Sequence, residues 1–321
     1  MKALVLQEIN KPLALIEHPL PVAAKGEATV SLHTAALNHR DVFITQGLYA
    51  GIKTPVILGS DGAGEYKGRK VLIYPALEWG DRPEHQGKNF RVLGMPENGT
   101  FAEEITVPAK NIFDMPAHLT WEQGAALPLA GLTAWRTLFS RCKMRKGEKV
   151  LITGVGGGVA LMALQFAVAA GAEVAVTSGS DEKLEKARSL GARYTVNYRL
   201  EGWDKRLKQE AGGFDVIIDS AAGDGFSVLP GIAQPGARIG IYGGTLGKVN
   251  GLSLQPVFWK QISILGSTMG SPQEFKKMLQ FVDNHKIVPI VDSVFDLADG
   301  NAAMEKMEKG EQFGKIAFRI R

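Results

Sequence analysis

The alternation of apolar and polar positions divides the chain into three textures. The first third carries short β-prone runs, "ATVSLHTAAL" (28–37), "KVLIYPAL" (70–77) and "TFAEEITVP" (100–108), punctuated by Gly, Pro and Asn. They predict a β-rich domain with irregular loops. A helical pattern begins in "HLTWEQGAALPLAGLTAWRTL" (118–138), where Thr120 reads as an N-cap and Gln123 as its capping-box partner. From Lys149 to about Ser267, strands and helices alternate. "KVLIT" leads through a glycine turn into the helical "VALMALQFAVAA", stopped at Gly171. "AEVAVT", then "SDEKLEKARSL" stopped at Gly191, "RYTVNY", a polar helix around Glu201 to Glu210, "FDVIIDS", a short helix, "ARIGIYG" and "ISILGS" follow. Apolar strands joined by short loops predict an α/β fold, a doubly wound parallel sheet with helices on both faces. The tail has an amphipathic helix in "SPQEFKKMLQFVDNH", a second near Asn301 to Glu308, and a last strand, "KIAFRI". It is expected to pack back on the first domain. The boundaries read as 1–118, 119–265 and 266–321.

Composition narrows the function classes. A length of 321 residues fits two domains, and 45% hydrophobic with 22% charged residues fits ordinary globular cores. The net charge of +4 is spread without a run of like charges, which argues against a nucleic-acid surface. The single cysteine, Cys142, excludes an intrachain disulfide and a cysteine-based zinc site, and fits a reducing compartment. The N-terminus reaches Glu8 too soon for a signal-peptide apolar region. The most apolar run, Val159 to Ala170, is 12 residues, against about 20 for a spanning helix. The expectation is a cytoplasmic protein with no membrane or nucleic-acid partner.

The glycine turn carries the first chemistry. "LITGVGGGVALMALQF" sets Gly154, Gly156, Gly157 and Gly158 between a strand and a helix. A dinucleotide fold needs small residues there for the tight turn, for backbone approach to the pyrophosphate, and for close helix packing. The literal G-x-G-x-x-G fails at Val159, but Gly157 and Ala160 satisfy its last part. The end of the next strand should carry an acid if the ligand is NAD. Thr177, Ser178, Gly179 and Ser180 stand there instead, with Lys183 close by. Small hydroxyls and a lysine favour a 2′-phosphate, hence NADP(H). Ser178 and Ser180 read equally as caps of the following helix, and Asp181 and Glu182 oppose the phosphate reading.

Together, "ALNHRD", "VILGSDGAGE", "GLTAWRTL", "KVLITGVGGGVA", "GARYTVNY" and "ILGSTMGS" resemble the medium-chain dehydrogenase/reductase superfamily along nearly the whole chain. The resemblance implies a GroES-like catalytic domain and a Rossmann domain. It also places Asn38, Ser60 and Leu129 where the superfamily's alcohol dehydrogenases carry Cys, His and Cys on a catalytic zinc. An Asn, a Ser and a Leu cannot make such a site. The structural zinc lobe is reduced to a cysteine-free "EWGDRPEHQGKNFRVLG". The chain is similar to the zinc-independent quinone oxidoreductases and enone reductases, in which Lys183 and Tyr198 match positions that hold the 2′-phosphate.

Without a Lewis acid, simple alcohol oxidation is disfavoured, and quinones or conjugated C=C bonds become the expected hydride acceptors. The expected catalytic residues are Asn38, Asp41 and Tyr49. The last could orient the acceptor, donate a proton, or act as a lid. The cofactor set is Asn38, Thr133, Gly156, Gly157, Gly158, Val159, Ser178, Ser180, Lys183, Tyr198, Ala221, Gly243, Gly244 and Lys315. Ala222 lines the same face as Ala221, and Phe313 with Lys315 is expected to close over the cofactor. His39 and Arg40 read as loop-fixing or cofactor-proximal groups without assigned chemistry. No metal ligand is expected. The edge strand "ISILGS" implies a homodimer, as in relatives. The alternatives left open are a nucleotide-binding protein with little turnover, structural or RNA-binding, and an alcohol dehydrogenase-like enzyme.

Overall fold

In a computed structural model that describes all 321 residues, the chain forms two units, Met1–Leu132 with Gly270–Arg321, and Thr133–Met269. The first unit begins its main sheet with β1 (Glu27–Ala36), in which Ala28, Val30 and Leu32 are buried and the residues between them are half-exposed. This is the period of two that one buried sheet face imposes. The chain then forms α1 (His39–Thr45), β2 (Asp61–Tyr66), β3 (Arg69–Ile73), β4 (Glu104–Pro108) and α2 (Trp121–Ala125). β1 pairs antiparallel with both β2 and β4, and β2 with β3. The capping box at Thr120 forms: its Oγ1 accepts from Gln123 N at 3.3 Å, and Gln123 Oε1 accepts from Thr120 N at 2.9 Å.

α2 belongs to the first unit. Trp121 stacks on His33 of β1 with ring centroids 4.3 Å apart. The first unit runs on to Leu132, beyond the 118/119 boundary expected from the pattern of the sequence.

The second unit is a parallel sheet of β5 (Lys149–Ile152), β6 (Glu173–Ser178), β7 (Tyr194–Asn197), β8 (Phe214–Asp219), β9 (Ala233–Ile241) and β10 (Ser263–Gly266). Its order is β7-β6-β5-β8-β9-β10, and every pairing is parallel. The strand order reverses between β5 and β8, the switch point where doubly wound sheets bind ligands. Between the strands lie α3 (Gly158–Ala169), α4 (Asp181–Ser189) and α5 (Trp203–Ala211). The first two stop at Gly171 and Gly191, whose φ values of +81° and +100° only glycine adopts cheaply. Leu151, Phe214, Ile217 and Ile239 anchor a core on this sheet.

The tail returns to the first unit as α6 (Pro272–His285), β11 (Val291–Asp296), α7 (Gly300–Glu308) and β12 (Lys315–Arg319). β12 pairs antiparallel with β1, setting Phe318 opposite Ala35, and Phe318 packs on Phe101 at 4.8 Å. β11 pairs parallel with β12. The sequence pattern did not reveal β11, because "VDSVFD" has acids at its second and last positions and no buried residue. No helix is long and apolar enough to cross a membrane.

Candidate active site

Each unit holds a cluster of polar residues at the ends of its strands or in the turns beside them. In the first unit, the chain leaves β1 and turns into α1 at Asn38, whose backbone is extended. The Asp41 carboxylate reaches back to accept from Asn38 N at 2.9 Å, which fixes the turn. The Asn38 side chain points the other way. Its Nδ2 donates to Asp61 Oδ2 at 2.9 Å, and its Oδ1 accepts from Lys315 Nζ at 2.6 Å. Lys315 also donates to Asp61 Oδ2 at 3.0 Å, and Leu129 N donates to Asp61 Oδ1 at 2.7 Å. Asn38, Asp61 and Lys315 are 8%, 0% and 3% exposed. A buried ion pair is tolerable only when its remaining hydrogen-bonding capacity is met, as it is for this carboxylate.

Asp41 is fully buried, and its Oδ1 has no hydrogen-bond partner. Burial pushes its pKa up to about 6, against the opposing pull of Arg40 and the Asn38 amide. His39 stands at the surface among dense protein. Desolvation of its ring, and then the Lys315 ammonium, hold its pKa below the usual imidazole value. Arg40 Nη1 donates to Ser60 Oγ and to Leu93 O, both at 2.7 Å. Its guanidinium carbon lies 5.5 Å from the centre of the Tyr49 ring, and Tyr49 is 41% exposed.

In the second unit, the glycine turn leaves β5 with Gly154 at φ +65° and Gly156 at φ +146°. Both lie in the region that favours glycine. Gly157 is the extended N-cap of α3, and Gly158 and Val159 open the helix. Lys183 lies across the turn: a Cβ at Gly156 would sit 3.1 Å from Lys183 Cδ and 3.5 Å from its Nζ. At the end of β6, a Cβ at Gly179 would strike Tyr198 Oη at 2.8 Å and Arg199 Nε at 2.9 Å. Ser180 caps α4 by accepting from Lys183 N, and Ser178 Oγ accepts from Ser180 N, both at 3.3 Å. The neighbouring acids are engaged elsewhere. Asp181 accepts from Asn197 Nδ2 at 2.9 Å, and Glu182 pairs with Lys186 at 2.7 Å.

The ends of β8 and β9 form the third part of this face. Ala221 O accepts from Leu246 N, and a Cβ at Gly243 would meet Ser220 O at 2.8 Å, whereas Gly244 borders open space. Ala222 is held at φ +55° by donating its N–H to Asp219 Oδ1 at 2.8 Å. Asp219 Oδ2 accepts from Thr153 Oγ1 at 2.6 Å, which ties the ends of β5 and β8 together. Thr133 is buried, and its carbonyl accepts from Thr137 Oγ1 at 2.7 Å.

The structure sets Lys183 against Gly156 in the turn after β5, and Tyr198 with Arg199 against Gly179 after β6. It also adds Asp61 and Asp219. Arg199 directly follows Tyr198 but was not among the expected site residues. Asp61 was not, since its lysine partner lies 254 residues away. Lys315 is an internal partner of Asp61 and Asn38, not a group free to close over a cofactor as expected. Phe313 is likewise buried, its N–H donating to Asp292 Oδ1 at 2.8 Å.

Residues 158–284 match the family model for zinc-binding dehydrogenase, and residues 24–117 that for the alcohol dehydrogenase GroES-like domain. The zinc-type alcohol dehydrogenase-like protein YogA of Leptosphaeria maculans is 36% identical over 98% of this chain and 96% of its own. A crystal structure of an NAD-dependent alcohol dehydrogenase superposes with a TM-score of 0.94 at 32% identity, covering all of both chains. The quinone oxidoreductase of Thermus thermophilus, solved also with NADPH, superposes at 0.84 with 25% identity over the full length of both.

The zinc in these descriptions does not fit the residues present. Asn38, Ser60 and Leu129 supply an amide, a hydroxyl and an alkyl chain, and Asp61 is already neutralised by Lys315. No group of three His, Cys, Asp or Glu able to hold a metal is assembled in the chain. A dinucleotide does fit: the turn has the positive φ angles it needs, and the strand end beyond it presents Lys183, Tyr198 and Arg199.

Proposed function

This chain belongs to the medium-chain dehydrogenase/reductase superfamily of oxidoreductases, and from that premise we propose that it is an NADPH-dependent, zinc-independent reductase of quinones or α,β-unsaturated carbonyl compounds. One observation carries the reading. Asn38 and Asp61 are closed on an internal cation, Lys315, and Asn38, Ser60 and Leu129 supply no three-ligand nitrogen and sulfur set for a Lewis acid. An unactivated alcohol needs its hydroxyl pKa lowered before it loses hydride. A quinone or enone spreads the developing charge over a conjugated system and needs mainly alignment and exclusion of water.

The preference for NADPH rests on the end of β6. Tyr198 and Arg199 lie against Gly179, Lys183 lies against Gly156 of the glycine turn, and the acids Asp181 and Glu182 are engaged by Asn197 and Lys186. The 2′-phosphate is the group that distinguishes the two dinucleotides, and a lysine with an arginine is suited to it. When bound, the reduced nicotinamide supplies a hydride to the electrophilic carbon. The chain's residues hold the acceptor in line, and the balancing proton comes from solvent. Gly243 and Gly244 are proposed to let the backbone approach the ring.

Oxidation of NADPH in the presence of a panel of quinones and enals tests this. Turnover with several acceptors and no stoichiometric zinc in the purified protein is expected. Stoichiometric zinc with oxidation of simple alcohols would establish the second reading, an alcohol dehydrogenase, which the names of several similar proteins favour. We also propose a homodimer built on β10. It is the edge of its sheet, and Phe258 and Trp259 just before it are 66% and 76% exposed. Sedimentation of the wild type as a dimer and of Trp259→Glu as a monomer is expected.

A further inference from the structure

Arg40 has no part in the hydride chemistry described so far, yet its surroundings are those of a recognition group. It is half-buried in the first unit. One nitrogen, Nη1, uses its hydrogen bonds on Ser60 Oγ and Leu93 O, and Ser60 Oγ itself donates to Leu93 O at 2.9 Å. Ser60 and Leu93 are 0% and 2% exposed, so these anchors are part of the rigid interior. The Tyr49 ring lies against the guanidinium and limits its remaining motion. Of the carboxylates nearby, Asp61 is committed to Lys315, Asn38 and Leu129 N, while Asp41, whose Oδ2 accepts from Asn38 N, feels the Arg40 charge without hydrogen-bonding to it. Arg40 therefore forms no ion pair, and its Nε–H and Nη2–H edge makes no hydrogen bond within the chain. That edge is the parallel pair of donors that matches a carboxylate bidentately.

We propose that Arg40 is the specificity-determining residue for the acceptor, and that the acceptor carries a carboxylate that the Nε/Nη2 edge receives. This rests on the reductase reading above and narrows it to carboxylated enones or quinones. The carboxylate is bound and not consumed. For 4-oxopent-2-enoate, hydride from NADPH goes to the alkene carbon β to the ketone, and a solvent proton to the α carbon. The products are 4-oxopentanoate and NADP⁺. Tyr49 is a positioning residue here, acting through the guanidinium it covers.

Two measurements on the full chain test the proposal, one independent of turnover. Calorimetric titration with benzoate should show binding to the wild type, at least tenfold weaker binding to Arg40→Met, and an intermediate affinity for Arg40→Lys, which keeps the charge and loses the fork. Circular dichroism melts establish that the variants fold. Should Arg40→Met fail to fold, Arg40→Lys still carries the comparison, with at least threefold weaker binding expected. Benzoate affinity should be equal or higher with saturating NADP⁺. Displacement of benzoate by NADP⁺ would assign Arg40 to the cofactor phosphates and overturn the proposal, as would absent or Arg40-independent benzoate binding. In turnover, kcat/KM for 4-oxopent-2-enoate should exceed that for its methyl ester at least tenfold, and the ratio should approach one in Arg40→Met. If no enone or quinone is reduced while benzoate binds in an Arg40-dependent way, the reductase reading fails and the carboxylate site stands.

Discussion

The two polar clusters solve opposite electrostatic problems. In the first unit, Lys315 and Asp61 are withdrawn from water, and their charges cancel at 3.0 Å with Asn38 joined to both. In the second, Lys183, Tyr198 and Arg199 stand around a glycine-lined strand end whose neighbouring acids are tied to Asn197 and Lys186. A closed cluster holds shape, because disturbing either charge exposes the other to a low-dielectric interior. A cluster of basic and hydroxyl groups beside a glycine turn gives selectivity when an anionic ligand is bound there. Stability measurements should therefore find the first cluster, and cofactor affinities the second.

The largest effect is expected at the closed pair. Lys315→Met leaves Asp61 buried without its counter-charge and should cost ~3–5 kcal/mol in urea unfolding. Adding Asp61→Asn should recover most of that loss, since no buried charge then remains. A double variant as unstable as the single one would show that packing, not charge, dominates there.

The next effect depends on pH. Asp41 has a folded pKa raised to about 6 from 3.8. Between those values the unfolded carboxyl is ionised while the folded one keeps its proton, so unfolding releases a proton and stability falls as pH rises. The contribution is complete below 3.8 and lost above about 6. Asp41→Asn should remove this slope and stabilise the protein at neutral pH by roughly 2–3 kcal/mol, read from denaturation curves at several pH values. A wild-type slope that survives the substitution would place the titration on another group.

At the second cluster the order reverses. Lys183→Ala and Arg199→Ala should leave the melting temperature nearly unchanged. Each should weaken NADPH binding about tenfold, about 1.4 kcal/mol, with NADH affinity little altered. Equal losses for both cofactors would contradict the 2′-phosphate assignment. The smallest effect belongs to Ser180→Ala, which removes the cap of α4 and should cost about 1 kcal/mol of stability. If Ser180 also contacts the phosphate, the NADPH to NADH affinity ratio falls as well.

Much of this was legible along the chain, because it is local. The Thr120/Gln123 box, the stops at Gly171 and Gly191, and the glycine turn each depend on residues within a few positions of one another. The absence of an acid at Ser178 to Ser180 was equally readable. The reading of Lys315 failed for the opposite reason. Its environment comes from Asn38 and Asp61, brought to it when β12 lays itself along β1. Strand β11 escaped notice because its partner β12, and not an apolar face, holds it in the sheet.

The sequence by itself determined the class of fold and the kind of ligand, since strand and helix periods, glycine positions and the residue types at a strand end are short-range properties. Only the tertiary structure decided which charges cancel and which remain available. Asp61, Lys315 and Arg40 are all ordinary charged residues in the string. Burial and pairing across 254 residues make the first two a closed pair, and anchoring of Nη1 on Ser60 and Leu93 leaves the third with an unpaired edge. Electrostatic energy depends on distance and dielectric, and both are set by folding.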